Sequence, residues 1–222
     1  MRHRSLATTK RKEPAVTEPD PGNYAFWLAA RSAGIVAFLV IAASVMLGLF
    51  LASSLSRQPG RPGLKRDLVT VHQQMTLTAL VLIAVHGLCL LGDKWLKPGI
   101  VGIAVPLTIS YRPLWVGMGI IGGYLAATLG LTYYARRRIG ARRWRQMHRA
   151  TVLVYVLVVM HSLGSGTDGA SGWFTALVVL TALPILVLLV LRYRPSRASS
   201  AGARPVRARR PEQPAAVPGG RG

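Results

Sequence analysis

Residues 68–92 read LVTVHQQMTLTALVLIAVHGLCLLG, a stretch without Asp, Glu, Lys or Arg that carries one histidine near each end. A helix needs roughly 20 predominantly apolar residues to cross a bilayer core of about 30 Å, so this stretch predicts a transmembrane helix. Four further stretches satisfy the same criterion: residues 33–52, 113–135, 150–167 and 169–191. The sequence therefore predicts an all-α membrane protein, folded as a bundle of five transmembrane helices.

The composition and the length exclude several classes of protein. The 222 residues are 51% apolar, and 28 Lys and Arg against 7 Asp and Glu give a net charge of +21. The single cysteine, Cys89, excludes a disulfide framework and a cysteine-based zinc or iron–sulfur site. A chain of this length has no room for a nucleotide-binding domain beside a membrane bundle.

The chain divides into three parts. The five spans lie in residues 25–192, between two polar tails at residues 1–24 and 193–222. The tails have few large apolar side chains and cannot bury a core, so we predict that both are disordered. A basic tail beside a span is expected to lie on anionic membrane lipid, at roughly 1 kcal/mol per basic residue, and not to bind nucleic acid.

Basic residues predict the orientation, because cytoplasmic loops of membrane proteins carry the excess of Lys and Arg. The hydrophilic segments on one side of the membrane carry 8 Lys and Arg in total, and those on the other side carry 19. Arg31 is not counted in either sum. The richer set places residues 53–67, residues 136–147 and the C-terminal tail in the cytoplasm. The N-terminus and the loops 93–112 and 164–172 are then outside. We expect a multi-pass protein of the cell membrane.

Four histidines lie in two of the spans, His72 and His86 in the second and His148 and His161 in the fourth. Their separations correspond to about 21 and 20 Å of helix rise, so each span carries one histidine near each membrane face. Both spans run outward, so His72 matches His148 in depth and His86 matches His161. Ideal helix geometry leaves the second pair of positions about 140° out of alignment, which requires overwinding, a bulge or a different approach angle.

Two imidazoles that face each other at one depth, and again at a second depth, form two sites of the kind that hold haem iron. We therefore interpret the four histidines as axial ligands of two stacked b-type haems. A single unliganded histidine near the headgroups would be unremarkable, but four at matched depths are not. A bare zinc or di-iron site is disfavoured because the spans lack carboxylates.

The spacing of these histidines, the run RRWRQMHR at residues 142–149 and the run YRPLWVG at residues 111–117 resemble the ferric reductase-like transmembrane domain. That superfamily includes NADPH oxidases, ferric reductases and the haem-binding membrane subunit of bacterial methionine sulfoxide reductase systems. The resemblance covers about residues 25–192 and implies two haem b groups. No flavin or nicotinamide domain follows the last span of this sequence, so we expect an electron-transfer subunit with a separate donor.

Basic and polar residues near the histidines are candidates for holding the cofactors. Arg149 is the candidate for pairing with the propionates of the inner haem, and Arg112 is the candidate on the outer side. Ordinary positive-inside charge is the alternative for such residues. Four polar residues of the second span are candidates for hydrogen bonds to an imidazole or to a neighbouring helix: Gln73, Gln74, Thr76 and Thr78.

Three other features have ordinary structural interpretations. The run GMGIIG at residues 117–122 matches GxGxxG, but it lies inside a span with no strand before it, so Gly119 is interpreted as part of a helix-packing face. Asp168 is interpreted as a turn residue, with a role towards an outer acceptor as the alternative. Trp115 and Trp144 stand at span ends, where aromatic residues form interfacial belts.

We expect the chain to transfer electrons from a cytoplasmic or quinol donor to an acceptor at the outer face, as the membrane subunit of an oxidoreductase system with a separate outer-face reductase. A flavin and a quinone are the candidates for a further cofactor at the inner face. Two alternatives stay open. One is a small transmembrane reductase that acts directly on ferric chelates, quinone or oxygen, and the other is a non-redox transporter or scaffold.

Overall fold

The structure is a computed structural model that describes residues 22–53 and 62–193, and within these ranges every regular element is an α-helix. The helices are α1 (Gly22–Ala52), α2 (Pro62–Leu91), α3 (Gly99–Ala104), α4 (Pro113–Leu131), α5 (Arg136–Ile139), α6 (Ala141–His148), α7 (Thr151–Ser165) and α8 (Gly172–Tyr193). The helices up to Arg192 belong to one compact unit. Nearly all of both tails that the sequence predicts to be disordered lies outside the described residues.

Five segments are long and apolar enough to cross a membrane, which confirms the predicted five-span bundle. They are Tyr24–Ala52, Gly63–Leu91, Pro113–Leu131, Ala141–Ser165 and Gly172–Tyr193. The third span ends earlier than predicted. The hydroxyl of Thr132 donates to the carbonyl of Leu129, and the next residues form three-residue turns that end the helix.

The outward faces of the spans are apolar. Val81 and Leu88 on α2 are each 62% exposed, and Leu180 on α8 is 71% exposed. A continuous surface of such side chains would be poorly solvated by water but is well solvated by lipid chains. The exposed surface therefore agrees with the hydropathy in placing these helices in a membrane.

Helix α1 lies at the centre of the bundle. Its Phe38 is 1% exposed, and the Phe38 ring centre lies 6.2 Å from that of Tyr155 on α7 and 5.7 Å from that of Phe174 on α8. The core around it also contains Ile41, Ala42, Val45, Leu49, Ala79, Leu129, Val154 and Ile185. The histidine-bearing helices are thus held against one apolar centre.

The spans pack most closely in two pairs, α1 with α2 and α4 with α7. Glycines of α4 make its contacts close. Gly122 faces Leu157 and Val158 of α7, and Gly123 faces Ile83 of α2. This agrees with the helix-packing interpretation of the glycine run. Helices α1 and α4 therefore support the two spans that carry the histidines.

The two ends of the bundle differ in character. The upper end, defined here by residues 93–112 and 166–171, contains α3 and a tight turn in which the buried carboxylate of Asp93 accepts hydrogen bonds from the backbone of Trp95 and Leu96. The lower end, defined by residues 132–143, contains the basic helix α5. One histidine pair lies towards each end.

Candidate functional site

The structure brings the four histidines together in two pairs. The ring centres of His72 on α2 and His148 at the end of α6 lie 6.0 Å apart, with an angle of 86° between the ring planes. The ring centres of His86 on α2 and His161 on α7 lie 6.3 Å apart, with an angle of 84°. We call these the lower pair and the upper pair. They are stacked along the bundle and share nearly the same geometry.

A tightened stretch between α6 and α7 separates His148 from His161. Arg149 and Ala150 form hydrogen bonds to carbonyls three residues earlier, those of Gln146 and Met147, at 3.3 and 2.9 Å. Bonds of this type belong to the 3₁₀ helix, which turns by about 120° per residue against 100° in an α-helix. This overwinding adds rotation in the direction that the spacing of the two histidines requires.

Backbone carbonyls orient both rings of the upper pair. The Nδ1 atom of His86 lies 2.7 Å from the carbonyl oxygen of Ala30 on α1. The Nδ1 atom of His161 lies 2.9 Å from the carbonyl oxygen of Trp115 on α4, and the hydroxyl of Ser165 is 3.1 Å away. A carbonyl accepts only from a protonated nitrogen, so Nδ1 carries the proton in both rings and Nε2 keeps its lone pair for a metal.

A closed circuit of hydrogen bonds orients His72 of the lower pair. Its Nδ1 atom lies 3.2 Å from the hydroxyl of Ser44, which lies 3.3 Å from the hydroxyl of Thr76. Thr76 in turn donates to the backbone carbonyl of His72 at 2.9 Å. The direction of that last bond lets Ser44 donate to Thr76 and accept from His72. In that arrangement, Nδ1 of His72 is also the protonated nitrogen.

His148 is held differently from the other three histidines. Its Nδ1 atom is buried without a hydrogen-bond partner in the described part of the chain, and so is the indole nitrogen of Trp144. The indole ring of Trp144 stacks on the imidazole at 4.9 Å between centres and 23° between planes. The ring centre of Tyr133 lies 5.8 Å from that of the indole, in an edge contact. Stacking replaces hydrogen bonding as the contact that orients this ring.

Glycines make room for the other three rings. A methyl group at Gly34 would lie 3.0 Å from Nδ1 of His86, and one at Gly48 would lie 3.2 Å from Cε1 of His72. A methyl group at Gly119 would overlap the ring of His161. Each glycine lies four residues after the residue whose oxygen accepts from the ring. Gly34 follows Ala30, Gly48 follows Ser44 and Gly119 follows Trp115. Helix α1 carries this arrangement twice, at the spacing that separates His72 from His86.

The geometry of both pairs fits haem. A metal bound between two imidazoles, with bonds of about 2.0 Å and about 1.1 Å from each nitrogen to its ring centre, would hold the ring centres ~6.2 Å apart. Within residues 22–53 and 62–193, His, Cys, Asp and Glu do not gather in groups of three. Each pair offers two nitrogen ligands, which is a complete protein ligand set for haem iron and half a set for zinc.

The two arginines predicted to bind cofactor lie at opposite ends of the bundle. Arg112 stands before α4 with a left-handed backbone (φ 42°), and its guanidinium donates to the carbonyl of Gly164 at 2.5 Å. That contact ties the start of α4 to the end of α7, beside the upper pair. Arg149 is exposed and follows His148 directly, at the turn between α6 and α7.

The four polar residues of α2 separate into two groups. Thr76 belongs to the circuit around His72, and Gln73 donates to the hydroxyl of Tyr133 at 2.5 Å. Gln74 and Thr78 point away from the histidines and line a shallow groove of about 280 Å³ on the outer surface of α1 and α2. Thr76 therefore supports an imidazole, and Gln73 forms a hydrogen bond to another part of the bundle.

Several residues that position the histidines are not among the predicted site residues. Trp115 and Trp144 have the position of belt aromatics, yet one provides the carbonyl for His161 and the other stacks on His148. Ala30 and Ser44 carry no signal of their own in a single apolar span. The repeat of a small residue followed four residues later by glycine, twice at the histidine spacing, is the signal that was available.

Comparison with known proteins gives one match. A family model described as the ferric reductase like transmembrane component matches residues 33–159. That range covers more than half of the chain and includes His72, His86 and His148, while His161 lies just beyond its end. Neither the curated proteins nor the solved structures gave a match.

Proposed function

The chain belongs to the family of ferric reductase-like transmembrane components, and from this we propose that it transfers electrons across the cell membrane by way of two b-type haems, one held by each histidine pair. The family suggests transmembrane electron transfer, and the two-haem arrangement is the finer proposal. The observation that carries it is the near-identical separation of the two pairs, 6.0 and 6.3 Å between ring centres, at two depths of one bundle.

The residues around each pair prepare the imidazoles to act as ligands. Ala30, Trp115 and Ser44 accept from Nδ1, which leaves Nε2 unprotonated and raises its basicity. The glycines opposite the rings keep the α1 and α4 backbones close. Haem, when bound, supplies one-electron redox chemistry that no side chain of this set provides. Each pair would supply both protein ligands of its haem iron, so we assign no catalytic residue.

We further propose that Arg149 and Arg112 hold carboxylates of the lower and upper haem. An arginine offers five donors in a planar fork, so Arg112 retains donors beyond the one that bonds Gly164. Arg149 is exposed beside His148, whose Nδ1 has no hydrogen-bond partner among the residues that the structure describes. Buried donors without acceptors at this end are what an anionic group would satisfy.

The distribution of charge supports an orientation. The lower end carries exposed arginines on α5 and α6, and the positive-inside rule then puts it in the cytoplasm. A membrane potential that is negative inside favours electron movement from the lower to the upper end by about 2.3 kcal/mol per 100 mV for a full crossing. We propose a cytoplasmic or quinol donor, with a flavin or a quinone at the lower end, and a separate reductase partner at the upper end.

The test is haem content and its dependence on each histidine. The full chain, purified in detergent from haem-replete cells, should bind two haems with b-type difference spectra. His86→Ala or His161→Ala should leave one, and so should His72→Ala or His148→Ala. Gln74→Ala, on the same helix but facing outward, should retain two. A chain that binds no haem, or a His86→Ala, His161→Ala double variant that still binds two, would refute the proposal.

A second measurement separates a subunit from a self-contained reductase. The reduced, purified chain should not be oxidised quickly by ferric chelates or oxygen, whereas a soluble outer-face reductase should co-purify with it. Rapid turnover with a small acceptor would favour the small transmembrane reductase instead.

A further inference from the structure

One ion pair joins distant parts of the chain at the upper end. The Nε and Nη2 atoms of Arg31 on α1 lie 2.7 and 2.6 Å from the two carboxylate oxygens of Asp168, which follows α7. The contact is bidentate, and it links residues 137 positions apart in the sequence. The two side chains are 35% and 17% exposed, so the pair is partly shielded from solvent.

Both ends of this ion pair stand next to residues that hold the upper histidines. Arg31 directly follows Ala30, whose carbonyl accepts from His86. Asp168 comes three residues after Ser165, whose hydroxyl lies 3.1 Å from Nδ1 of His161. The ion pair therefore connects the support of one upper ring to the support of the other, on helices that belong to different close-packed pairs.

The local geometry keeps both partners in place. The guanidinium carbon of Arg31 lies 5.2 Å from the ring centre of Trp27, one turn earlier on α1. The backbone carbonyl of Asp168 accepts from the amide and from the hydroxyl of Ser171, which closes the turn around the carboxylate. A bidentate arginine–carboxylate contact between two such fixed partners is directional as well as attractive.

The backbone contacts of the segment that carries Asp168 are mostly with its own neighbours at the end of α7. It reads GTDGASG at residues 166–172, and Gly166 and Gly169 lie close against the backbone carbonyls of Ser162 and Leu163. Arg112 holds the chain at Gly164. Beyond that residue, the ion pair of Asp168 with Arg31 joins this loop to α1.

We propose that the Arg31–Asp168 ion pair positions the upper histidine pair: it fixes the end of α7 against α1 and so sets the separation of His86 from His161. Both residues act through the histidines and touch neither a metal nor a substrate. Within residues 22–53 and 62–193 no ion pair links the supports of the lower pair, which lies about 20 Å away along the helices and serves as an internal reference. Only the spectroscopic test of this inference rests on the proposed haem function.

The variants distinguish geometry from charge. Asp168→Asn and Arg31→Gln remove opposite charges, so an effect of charge alone would shift the potential of the upper haem in opposite directions. Loss of positioning should have the same effect in both variants. It should broaden the electron paramagnetic resonance signal of the upper haem and weaken haem binding at the upper site about tenfold. Arg31→Lys keeps the charge but loses the bidentate contact, and it should resemble Arg31→Gln. The swapped double variant Arg31→Asp, Asp168→Arg should recover most of the wild-type signal.

The control is Lys97→Gln, which removes another cation from the upper end and should leave both haem signals unchanged. Amide hydrogen exchange of residues 161–171 provides a readout that needs no haem, and it should become about tenfold faster in Asp168→Asn. A wild-type chain without haem would refute the proposed function, and the exchange rates would still decide the positioning role. Unchanged exchange, opposite potential shifts without broadening, or equal damage to both pairs would overturn the inference.

Discussion

The backbone of Gly119 on α4 lies against the imidazole of His161 on α7, so closely that any β-carbon at this position would overlap the ring. The residue one turn earlier, Trp115, accepts a hydrogen bond from the same ring. One helix turn thus provides both the space for the imidazole and the contact that orients it. The absence of a side chain at Gly119 is therefore as much a part of the upper site as the histidine.

The glycines opposite the histidines lead to a graded prediction. Gly119→Ala should abolish binding at the upper site and leave one haem per chain, because the added methyl group and the ring cannot occupy the same space. Gly34→Ala and Gly48→Ala place the methyl group at 3.0 and 3.2 Å from the rings of His86 and His72, so they should weaken one site each without abolishing it. Haem stoichiometry and site-resolved titration would measure these effects.

The matched control is Gly87→Ala, next to His86 on α2. A methyl group there meets nothing within 4 Å. It should keep two haems and stabilise the helix slightly, by about 0.5–1 kcal/mol. Equal loss of haem from Gly119→Ala and Gly87→Ala would show that the glycines act through general helix stability and not through the space they leave.

The fold was predictable from the sequence because lipid imposes a simple rule on it. Every backbone group in the hydrocarbon must bond within its own helix, so length and hydropathy alone were enough to identify five spans. The matched depths of His72 with His148 and of His86 with His161 followed from helix rise, and the rings do meet in those pairs. Both results depend on distances along helices, which sequence spacing determines.

The support of the rings was not predictable, since it depends on how neighbouring helices are rotated and staggered. Ala30 and Ser44 matter because the packing of α1 on α2 places their oxygens beside His86 and His72. Asp168 lies in a segment with the composition of a turn, and it does form a turn. Its carboxylate, however, pairs with Arg31 on another helix. Such contacts belong to tertiary structure, and a single sequence gives no measure of them.

Ser44 should tune the lower site without being required for it. Ser44→Ala removes the acceptor of the His72 Nδ1 proton and opens the circuit through Thr76. A less basic imidazole stabilises the reduced iron, so the midpoint potential of the lower haem should rise by roughly 40 mV, equivalent to about 1 kcal/mol for one electron. Redox titration of the two b-type bands would measure the shift.

Thr78→Val is the control for this experiment, since Thr78 is exposed on α2 and faces away from the histidines. It should leave both potentials as they are in the wild type. A Ser44→Ala chain whose lower potential is unchanged, or falls, would show that the hydroxyl does not influence the ligand.

Trp144 should decide how firmly His148 is held. Trp144→Leu removes the stacked ring from an imidazole whose Nδ1 is not hydrogen-bonded within the described part of the chain. The lower haem should then bind about tenfold more weakly and give a heterogeneous resonance signal, while Trp144→Phe should preserve most of the wild-type behaviour. Trp95→Leu, at a side chain that is 78% exposed at the upper end, should leave the lower signal intact. Indistinguishable spectra from Trp144→Leu and the wild type would rule out the stacking role.

Tyr155 should affect stability and not the haem sites. Its hydroxyl donates to Thr181 at 2.8 Å in the buried contact between α7 and α8, and Thr181 already uses its own proton on the carbonyls of its helix. Tyr155→Phe should therefore cost about 1 kcal/mol and lower Tm by about 2–4 °C. Two haems with unchanged spectra should remain, because the ring and its contact with Phe38 are kept. As the control, Tyr124→Phe removes a hydroxyl from an exposed residue and should lower Tm by less than Tyr155→Phe does. A loss of haem in Tyr155→Phe would mean that the hydrogen bond to Thr181 also aligns α7 for His161.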